Sequence, residues 1–252
     1  MSLPIVGVAF FSGGRVANAV TLNGTDERMS RTASASSAQR RKFTFDGWVY
    51  PTASGTARPI YTVDNGANGG KLWLTTGNVL RHDETDGSAG DDISCLGSTT
   101  ISASAWTHLH VEYDSTLGAA SDRIKFYING VQDTVSFPGG NTPDANQPSS
   151  FGLNTLVHSI GWDANASAYF AGRLGLMHWI DGLVVSLSTF GETVGSTWMA
   201  KLPTGLAYDA NGFFLDFASA ADLGNDADAG HDFTLTNIDS SNAIGDGPPI
   251  AT

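Results

Sequence analysis

The stretch Trp106–Val131, WTHLHVEYDSTLGAASDRIKFYINGV, decides the fold class of this 252-residue chain. Its first residues alternate, which places every second residue from Leu109 to Tyr113 on one face of a strand and the polar residues between them on the other. The RIKFYI run that follows alternates again and leads directly into Asn129-Gly130. Asn-Gly next to alternating runs is the strongest short-range signal for a β-hairpin, because both turn residues adopt φ > 0. The stretch therefore predicts antiparallel strands joined by tight turns.

Segments of the same kind recur along the chain, separated by stretches rich in Gly, Asn, Asp and Ser. This rhythm is typical of an antiparallel sandwich, so the fold class is predicted to be all-β. Ser186–Lys201 is the one segment that the sequence leaves compatible with a short helix. The other predicted strands are Phe43–Tyr50, Ile60–Asp64, Lys71–Thr75, Asn78–His82, Asp92–Leu96, Val131–Phe137, Leu156–Gly161 and Phe170–Ile180.

Composition narrows the function classes. The chain carries 13 Lys and Arg against 25 Asp and Glu, a net charge of −12, so most of its surface would repel a phosphate backbone and no nucleic-acid partner is expected. No apolar run approaches the ~20 residues that cross a bilayer, so membrane insertion is not expected either. The single Cys95 excludes an internal disulfide framework and a cysteine-based zinc cluster.

The chain begins with an apolar stretch, Ile5–Phe11, that is followed by Gly13-Gly14. A secretory signal needs a basic stretch before its apolar core, and Met1–Pro4 carries none, so a signal peptide is the less favoured interpretation. We expect residues 1–14 to form an arm that packs on its own chain or on a neighbour. Burying its large side chains would gain roughly 7–15 kcal/mol, and ordering the backbone would cost about as much. The predicted assembly residues are Ile5, Val6, Val8, Phe10 and Phe11.

Four segments carry a family pattern. Ala19–Arg31 (AVTLNGTDERMSR) matches an A-L-x-F-D-G-x-D-D-Y-V opening, and Phe43–Pro51 matches F-T-x-x-x-W-V-x-P. Trp106–Val131 matches W-H-H-V-A-V-x-Y-D … L-x-L-Y-V-N-G-V, and Phe170–Leu183 matches F-x-G-x-I-D-E-V-x-I-Y. In these segments the chain resembles laminin G-like, concanavalin A-type domains. The resemblance implies an antiparallel concanavalin A-like (laminin G-like) jelly-roll sandwich over residues 15–200.

The segment Phe190–Ile238 carries a narrower pattern. It reads FGETVGSTWMAKLPTGLAYDANGFFLDFASAADLGNDADAGHDFTLTNI and resembles a segment that bacteriophage virion-associated proteins join to a laminin G-like domain in tail fibres and other appendages. Met199-Ala200 departs from the apolar–Pro step of that pattern. The resemblance implies a non-enzymatic structural protein of the virion, a decoration or appendage module on head or tail, with capsid or tail proteins as partners. The apolar arm predicts a homo-oligomer, and the resemblance favours a trimer because such appendages usually have threefold symmetry.

The acidic C-terminal segment, residues 201–252, is expected to add strands to the same sandwich, with a loose tail from about residue 239. Phe213–Leu235 resembles the first strand of ordinary laminin G-like domains, which this chain lacks before Ala19. The C-terminal strands would then occupy the place of that strand in permuted order and remove an exposed sheet edge. A separate C-terminal extension is the alternative.

The sequence predicts no catalytic residues. Glycanases that resemble this jelly roll carry acids in the pattern Glu-x-Asp-x-x-Glu, so that one carboxylate attacks and another donates a proton. None of the four glutamates, Glu27, Glu84, Glu112 and Glu192, begins such a run. No Gly-x-Ser-x-Gly, Walker or dinucleotide pattern appears either. An enzyme that degrades polysaccharide is therefore the last-ranked function.

The alternative function is a glycan-binding adhesin that recognises carbohydrate on a host surface. Sugar faces pack on aromatic rings, and Trp162, beside the alanine-rich turn Asp163–Ala168, is the best candidate for an exposed platform. The predicted glycan-binding residues are Trp162, Asp163, Asn165 and Tyr169.

Three places carry groups that suit a metal, with calcium as the candidate cofactor. Oxygen-rich loops at Asp222–Asp232 and Asp83–Asp92 suit a hard cation, and the alternative for both is a polar turn whose Asp side chains cap backbone N–H groups. The predicted calcium ligands are Asn225, Asp226, Asp228 and Asp232. His108, His110 and Glu112 lie on one strand face, which suits a metal site. The alternative is that these side chains only pack against neighbouring residues.

Overall fold

Two antiparallel sheets form a sandwich in the computed structural model of the chain, which confirms the predicted all-β jelly roll. The structure describes residues 11–12, 14–16, 18–33, 35–52, 55–65, 69–85, 93–209, 211–228 and 230–251. No helix in these ranges is long and apolar enough to cross a bilayer. The assembly residues Ile5, Val6, Val8 and Phe10 and the side chain of Phe11 lie outside the described residues.

The larger sheet, sheet A, has eight strands, and sheet B has seven. In spatial order, sheet A contains β12 (Val131–Gln132), β11 (Ile124–Ile128), β10 (Thr107–Asp114), β5 (Lys42–Pro51), β16 (Ala171–Asp181), β3 (Ala19–Asn23) and β21 (Ala243–Ile244), with β19 (Phe213–Leu215) also paired to β16. Sheet B contains β20 (Thr234–Thr236), β4 (Arg28–Thr32), β13 (Val157–Ile160), β6 (Arg58–Asp64), β7 (Gly69–Leu74), β8 (Val79–Thr85) and β9 (Ile93–Thr100).

Several short elements lie outside the two large sheets. Three small hairpins pair β1 (Phe11–Ser12) with β2 (Arg15–Val16), β14 (Trp162–Asp163) with β15 (Ala168–Tyr169), and β17 (Gly191–Val194) with β18 (Thr197–Ala200). In the described ranges, the 3-10 helices are Ala120–Asp122, Pro138–Gly140, Ser150–Gly152, Leu187–Thr189 and Ser240–Asn242.

The inner faces of the two sheets pack into one core rich in aromatic rings. Because side chains alternate along a strand, Leu109 and Tyr113 of β10 point inward and are fully buried, as the sequence predicted. Phe43 of β5 stacks on Tyr113 with 4.9 Å between ring centroids and on Trp179 of β16 with 4.4 Å. Tyr61 of β6 lies 5.1 Å from Trp179, so these rings join sheet A to sheet B.

The Asn-Gly turn forms as predicted. Asn129 has φ 48° and Gly130 has φ 82°, and β11 pairs with β12 across the turn. The strand predicted over Val131–Phe137 is shorter, because only its first two residues pair. The chain then leaves sheet A for sheet B, where Leu96 and Ser136 exchange backbone hydrogen bonds.

No α-helix forms in Ser186–Lys201, the one segment that the sequence left compatible with a short helix. Apart from the 3-10 turn Leu187–Thr189, this segment forms the hairpin β17–β18. Its strands contain β-branched residues such as Thr193 and Val194, which favour strand over helix, and Gly195 supplies a turn residue with φ 65°.

The hairpin β17–β18 belongs to a third layer over the outer face of sheet A. We call the residues of this layer from 185 to 209 the covering segment. In it, Trp198 packs on His108 of β10 at 5.7 Å between ring centroids. Beside it, Phe214 of β19 stacks on its cross-strand partner His178 of β16 at 4.0 Å. Both faces of sheet A are therefore buried in these strands.

The C-terminal segment contributes strands to both sheets. β19 and β21 pair with β16 and β3 of sheet A, and β20 pairs with β4 of sheet B. The part expected to be loose from about residue 239 is instead held against the start of the described chain. Ile250 N–H donates to the Gly14 carbonyl at 3.0 Å, and Val16 N–H donates to the Pro248 carbonyl at 3.0 Å.

Candidate functional site

The outer face of sheet B carries a group of charged and aromatic side chains. On β7, Leu72 points into the core, so Lys71 and Trp73 on either side of it point outward. The same alternation directs Arg81 and Asp83 of β8 outward. Adjacent strands therefore bring these side chains together on one surface.

Asp83 is the centre of a hydrogen-bond network on this surface. Its carboxylate accepts from the Trp73 indole N–H at 2.8 Å, from Arg81 Nε–H at 2.9 Å and from the Ser94 hydroxyl at 2.8 Å. Arg81 Nη2 also donates to Ser94 Oγ at 2.9 Å. Because the partners come from three neighbouring strands, the sheet itself fixes their positions.

The hairpin β14–β15 lies over the same face. The Thr62 hydroxyl of β6 donates to the Trp162 carbonyl at 2.7 Å, and Lys71 Nζ lies 3.4 Å from Asp163 Oδ2. Asp163 Oδ1 accepts the Asn165 backbone N–H at 3.0 Å, which shapes the turn of the hairpin. The hairpin is thus attached to the sheet at both of its first two residues.

A cleft of about 380 Å³ lies beside this hairpin. Its lining places Lys71 against Asp163 and Arg81 against Asp83, so donors and acceptors alternate across a short distance. That arrangement suits a ligand with many hydroxyl groups. The outward polar residues of the lining include Thr62, Lys71, Arg81, Asp83, Ser94, Asn141, Asp163 and Asn165.

The structure divides the four predicted glycan-binding residues between two sides of the hairpin. Asp163 and Asn165 line the cleft, whereas Trp162 and Tyr169 pair across the hairpin with their ring centroids 6.4 Å apart. The guanidinium of Arg28 lies 4.2 Å from the centre of the Trp162 ring and covers one face of it. Trp162 is therefore half-buried rather than an open platform.

Sequence reasoning missed the cations of this surface. Lys71 and Arg81 occupy outward positions of strands that were predicted, and the alternation of those strands is the signal that could have found them. Arg28 has no such signal, because nothing in its own segment indicates that Trp162 lies above it.

The predicted calcium loop uses its carboxylates on its own backbone. Asp226 accepts hydrogen bonds from the backbone N–H groups of Phe214, Asp228 and His231 at 2.9, 3.2 and 3.0 Å. Asp232 Oδ1 accepts from the Asp226 N–H at 2.9 Å. These contacts are those of a polar turn whose Asp side chains cap backbone N–H groups.

Across the described ranges, no group of three or more His, Cys, Asp or Glu residues is arranged to hold a metal ion. Residues 86–92 of the other candidate loop lie outside those ranges.

The two histidines of β10 share a carboxylate as hydrogen-bond partner. His108 Nε2 and His110 Nδ1 lie 2.8 and 3.0 Å from the same oxygen of Asp46, and His110 Nε2 lies 3.4 Å from Glu112. Burial would raise the pKa of Asp46, but the two histidines outweigh it and lower that pKa to about 2. Burial would lower the pKa of His110, but its hydrogen bonds to Asp46 and Glu112 raise it. Asp46 and the two histidines therefore form a buried hydrogen-bond network beneath the covering segment.

The family of the chain follows from its sequence together with this fold. The laminin G-type model of the concanavalin A-like lectin/glucanases superfamily matches residues 23–183. The match spans more than half of the chain, and the chain belongs to this superfamily. No curated protein sequence matches it.

Several solved structures are similar to this chain at low sequence identity. A candidate carbohydrate binding protein from Bacteroides ovatus ATCC 8483 is 13% identical, with a TM-score of 0.60 over 94% of this chain and 62% of that one. A heptameric SAP-like pentraxin from Limulus polyphemus is 15% identical, with a TM-score of 0.45 over 70% and 80% of the two chains. The CBM40 of a Ruminococcus gnavus IT-sialidase, bound to α2,3-sialyllactose, is 13% identical, with a TM-score of 0.46 over 69% and 96%. At 13% identity, the likeness to the Bacteroides ovatus protein shows the fold alone.

Proposed function

We propose that this protein is a glycan-binding module without catalytic activity and that it binds carbohydrate in the cleft on the outer face of sheet B. The proposal rests mainly on two ion pairs in the lining of the cleft, one between Lys71 and Asp163 and one between Arg81 and Asp83. Membership of a superfamily of lectins and glucanases makes carbohydrate the first ligand class to consider. The similar Bacteroides ovatus protein is itself described as carbohydrate binding.

The chemistry of sugars matches this lining. Each sugar hydroxyl both donates and accepts hydrogen bonds. In the cleft, the carboxylates of Asp83 and Asp163 accept, while Lys71 and Arg81 donate, so adjacent hydroxyls of one sugar ring meet both kinds of partner. Hydrogen bonds with an ionised partner are stronger than those between neutral groups, so few contacts are needed.

The acids of the cleft support binding rather than hydrolysis. A retaining glycosidase needs two carboxylates ~5–5.5 Å apart that act as nucleophile and proton donor. Asp83 and Asp163 each form an ion pair with a different cation, and the Glu-x-Asp-x-x-Glu run of glycanases that resemble this fold has no counterpart in the sequence.

Binding of the full chain to an array of neutral and acidic glycans tests the proposal. We expect Asp83→Asn to weaken binding roughly tenfold, because one strong acceptor is lost and Arg81 loses its partner. Asp122→Asn removes the same charge at an exposed position of the turn Ala120–Asp122 and should bind as the parent does. A parent protein that binds no glycan, or an Asp83→Asn protein that binds equally well, would overturn the proposal.

We propose second that the module is a bacteriophage virion protein of the head or tail, with host surface glycan as its ligand. The resemblance of Phe190–Ile238 to virion-associated proteins supports this. Its first residues form most of the covering segment and its later residues form β19 and β20, so the shared pattern is an integral part of the fold. Mass spectrometry of purified particles should detect the chain beside capsid or tail proteins, and its absence from mature particles would contradict the proposal.

We propose further that the arm, residues 1–14, holds a homo-oligomer, with a trimer favoured. Deleting these residues should lower the mass measured by light scattering while glycan binding by a single module is retained. A deletion protein that keeps the full oligomer mass would show that the arm has no such role.

A further inference from the structure

We propose that the side of the hairpin opposite the cleft recognises an acidic substituent of a glycan, a carboxylate or a sulfate, through Arg28. This inference rests on the proposed glycan-binding function and adds the ligand's charge to it. It starts from one arginine whose contacts differ from those of the other cations on the outer face of sheet B.

Arg28 is held in place by an aromatic ring. Its guanidinium lies 4.2 Å from the centre of the Trp162 ring, and Arg28 itself is fixed on β4, which pairs with both β13 and β20. Stacking on an aromatic face leaves the N–H groups at the edge of the guanidinium plane free to donate. The side chain is half-buried, so part of it still reaches solvent.

Within the described part of the chain, Arg28 has no acid partner, and its side chain stacks on Trp162. The nearest acids in sequence are engaged elsewhere. Asp26 accepts from Asn237 Nδ2 at 3.0 Å, and Glu27 accepts from the Asn23 N–H at 2.6 Å. The chain has 25 acidic and 13 basic residues. In such a chain, the positive charge of an arginine that is not paired with an acid is available to an anionic group of a ligand.

The cleft provides the direct contrast. Lys71 and Arg81 each face a carboxylate, so an anionic group there would compete with Asp163 or Asp83. No carboxylate of the described residues is paired with Arg28, and a guanidinium offers two parallel N–H···O contacts to a carboxylate or sulfate.

The surroundings of Arg28 suit a sugar ring that carries the acid. Its cross-strand partner is Thr236, and Ser30 pairs with Thr234, so hydroxyl side chains lie along the same outward face. Trp162 and Tyr169 supply aromatic surface for the apolar side of a sugar. Because Asp163 of the same hairpin lines the cleft, one glycan chain could place neutral sugars in the cleft and an acidic residue at Arg28.

The test uses the full chain and oligosaccharides in three matched forms: one neutral backbone, the same backbone with a uronic-acid carboxylate, and the same backbone with a sulfate ester. We expect the parent to bind at least one acidic form more tightly than the neutral form. Arg28→Gln should weaken that preferred binding roughly 10- to 100-fold and leave the neutral form unchanged. Arg28→Lys keeps the charge without the planar fork and should recover only part of the loss.

The matched control is Arg41→Gln, which removes the same charge from an exposed arginine on the chain leading into β5. It should change neither binding. The acidic form that the parent prefers identifies the ligand group as carboxylate or sulfate. Equal loss of neutral and acidic binding in Arg28→Gln, or no preference of the parent for either acid, would overturn this inference while the glycan-binding function stands. A parent that binds none of the three forms, nor any glycan of the array, would remove both.

Discussion

The outer faces of the two sheets carry similar side chains but differ in what lies above them. On sheet A, Asp46 and His108 are 2% and 0% exposed beneath the covering segment. On sheet B, the side chain of Lys71 is 35% exposed beside an open cleft. The same alternation of polar residues along a strand therefore builds an internal network in one place and the lining of a cleft in the other. Within the described residues, the covering segment buries the outer face of sheet A, and no comparable layer lies over the cleft of sheet B.

Removing the shared acceptor beneath the covering segment should have the largest effect. Asp46→Ala leaves His108 and His110 buried without it, and breaking a buried charged pair costs about 3–5 kcal/mol. Urea unfolding at pH 7 measures this loss. On the open face, Asp83→Ala should cost about 1 kcal/mol or less, because solvent screens its ion pair. Equal losses would contradict the distinction between the two faces.

A buried carboxyl on the opposite, inner face of sheet A should make stability depend on pH. Burial, with the nearby Asp209 carboxylate, raises the pKa of Asp181 to about 6. The folded protein therefore favours the protonated form. Stability that is fully present below about pH 4 is lost as the pH rises to about 6, by up to roughly 3 kcal/mol.

Asp181→Asn should remove this dependence, and urea unfolding midpoints at pH 4 and pH 7 measure it. The exposed Asp122→Asn should keep the pH profile of the parent. If Asp181→Asn follows the parent between these two pH values, then the carboxyl is not the source of the change.

The Asn-Gly turn tests how closely the covering segment fits. A Cβ at Gly130 would overlap the Trp198 indole, and its φ of 82° disfavours other residues, so Gly130→Ala should cost about 1–3 kcal/mol. Thermal unfolding measures the change. Gly118 lies in the loop before β11 with open space around its Cβ position, and Gly118→Ala should leave the transition in place. A shift of the same size in both variants would argue against close packing of Trp198.

The smallest effect on stability is expected on the open face. Lys71→Ala removes the ion pair with Asp163, which is worth less than about 1 kcal/mol at this exposure. The same variant should weaken glycan binding, because Lys71 donates into the cleft. Calorimetric titration next to urea unfolding separates the two outcomes, and a large loss of stability would mean that Lys71 acts as a structural residue.

Local patterns predicted the parts of this fold that depend on neighbouring residues. The alternation of Trp106–Tyr113 and the Asn129-Gly130 turn needed no information from elsewhere in the chain. The candidate site depends on distant pairs: Thr62 and Trp162 are 100 positions apart, and Lys71 and Asp163 are 92 apart. No pattern within either partner's segment records such a pairing.

The absence of an α-helix in Ser186–Lys201 has a related reason. This segment becomes a hairpin where Trp198 packs on His108, a residue 90 positions earlier in the sequence. The β-branched residues of this segment favour a strand locally. The apolar surface that the hairpin covers exists only after sheet A has formed, so the sequence of the segment does not show it. Strand patterns therefore do not predict which of the two outer faces is buried by another layer.

The hydrogen bond between Ile250 and Gly14 means that the described chain nearly closes into a ring. In a variant that begins at Gly14 and ends at Ala251, a linker of a few residues would complete the ring, and new ends could then be opened at an exposed turn, such as the one around Gly118, without breaking a strand pair. A domain joined directly before Gly14 or after Ala251 would leave the sandwich from one place. This protein is therefore well suited to being inserted as a unit into a loop of another protein, where both connections must come from the same point.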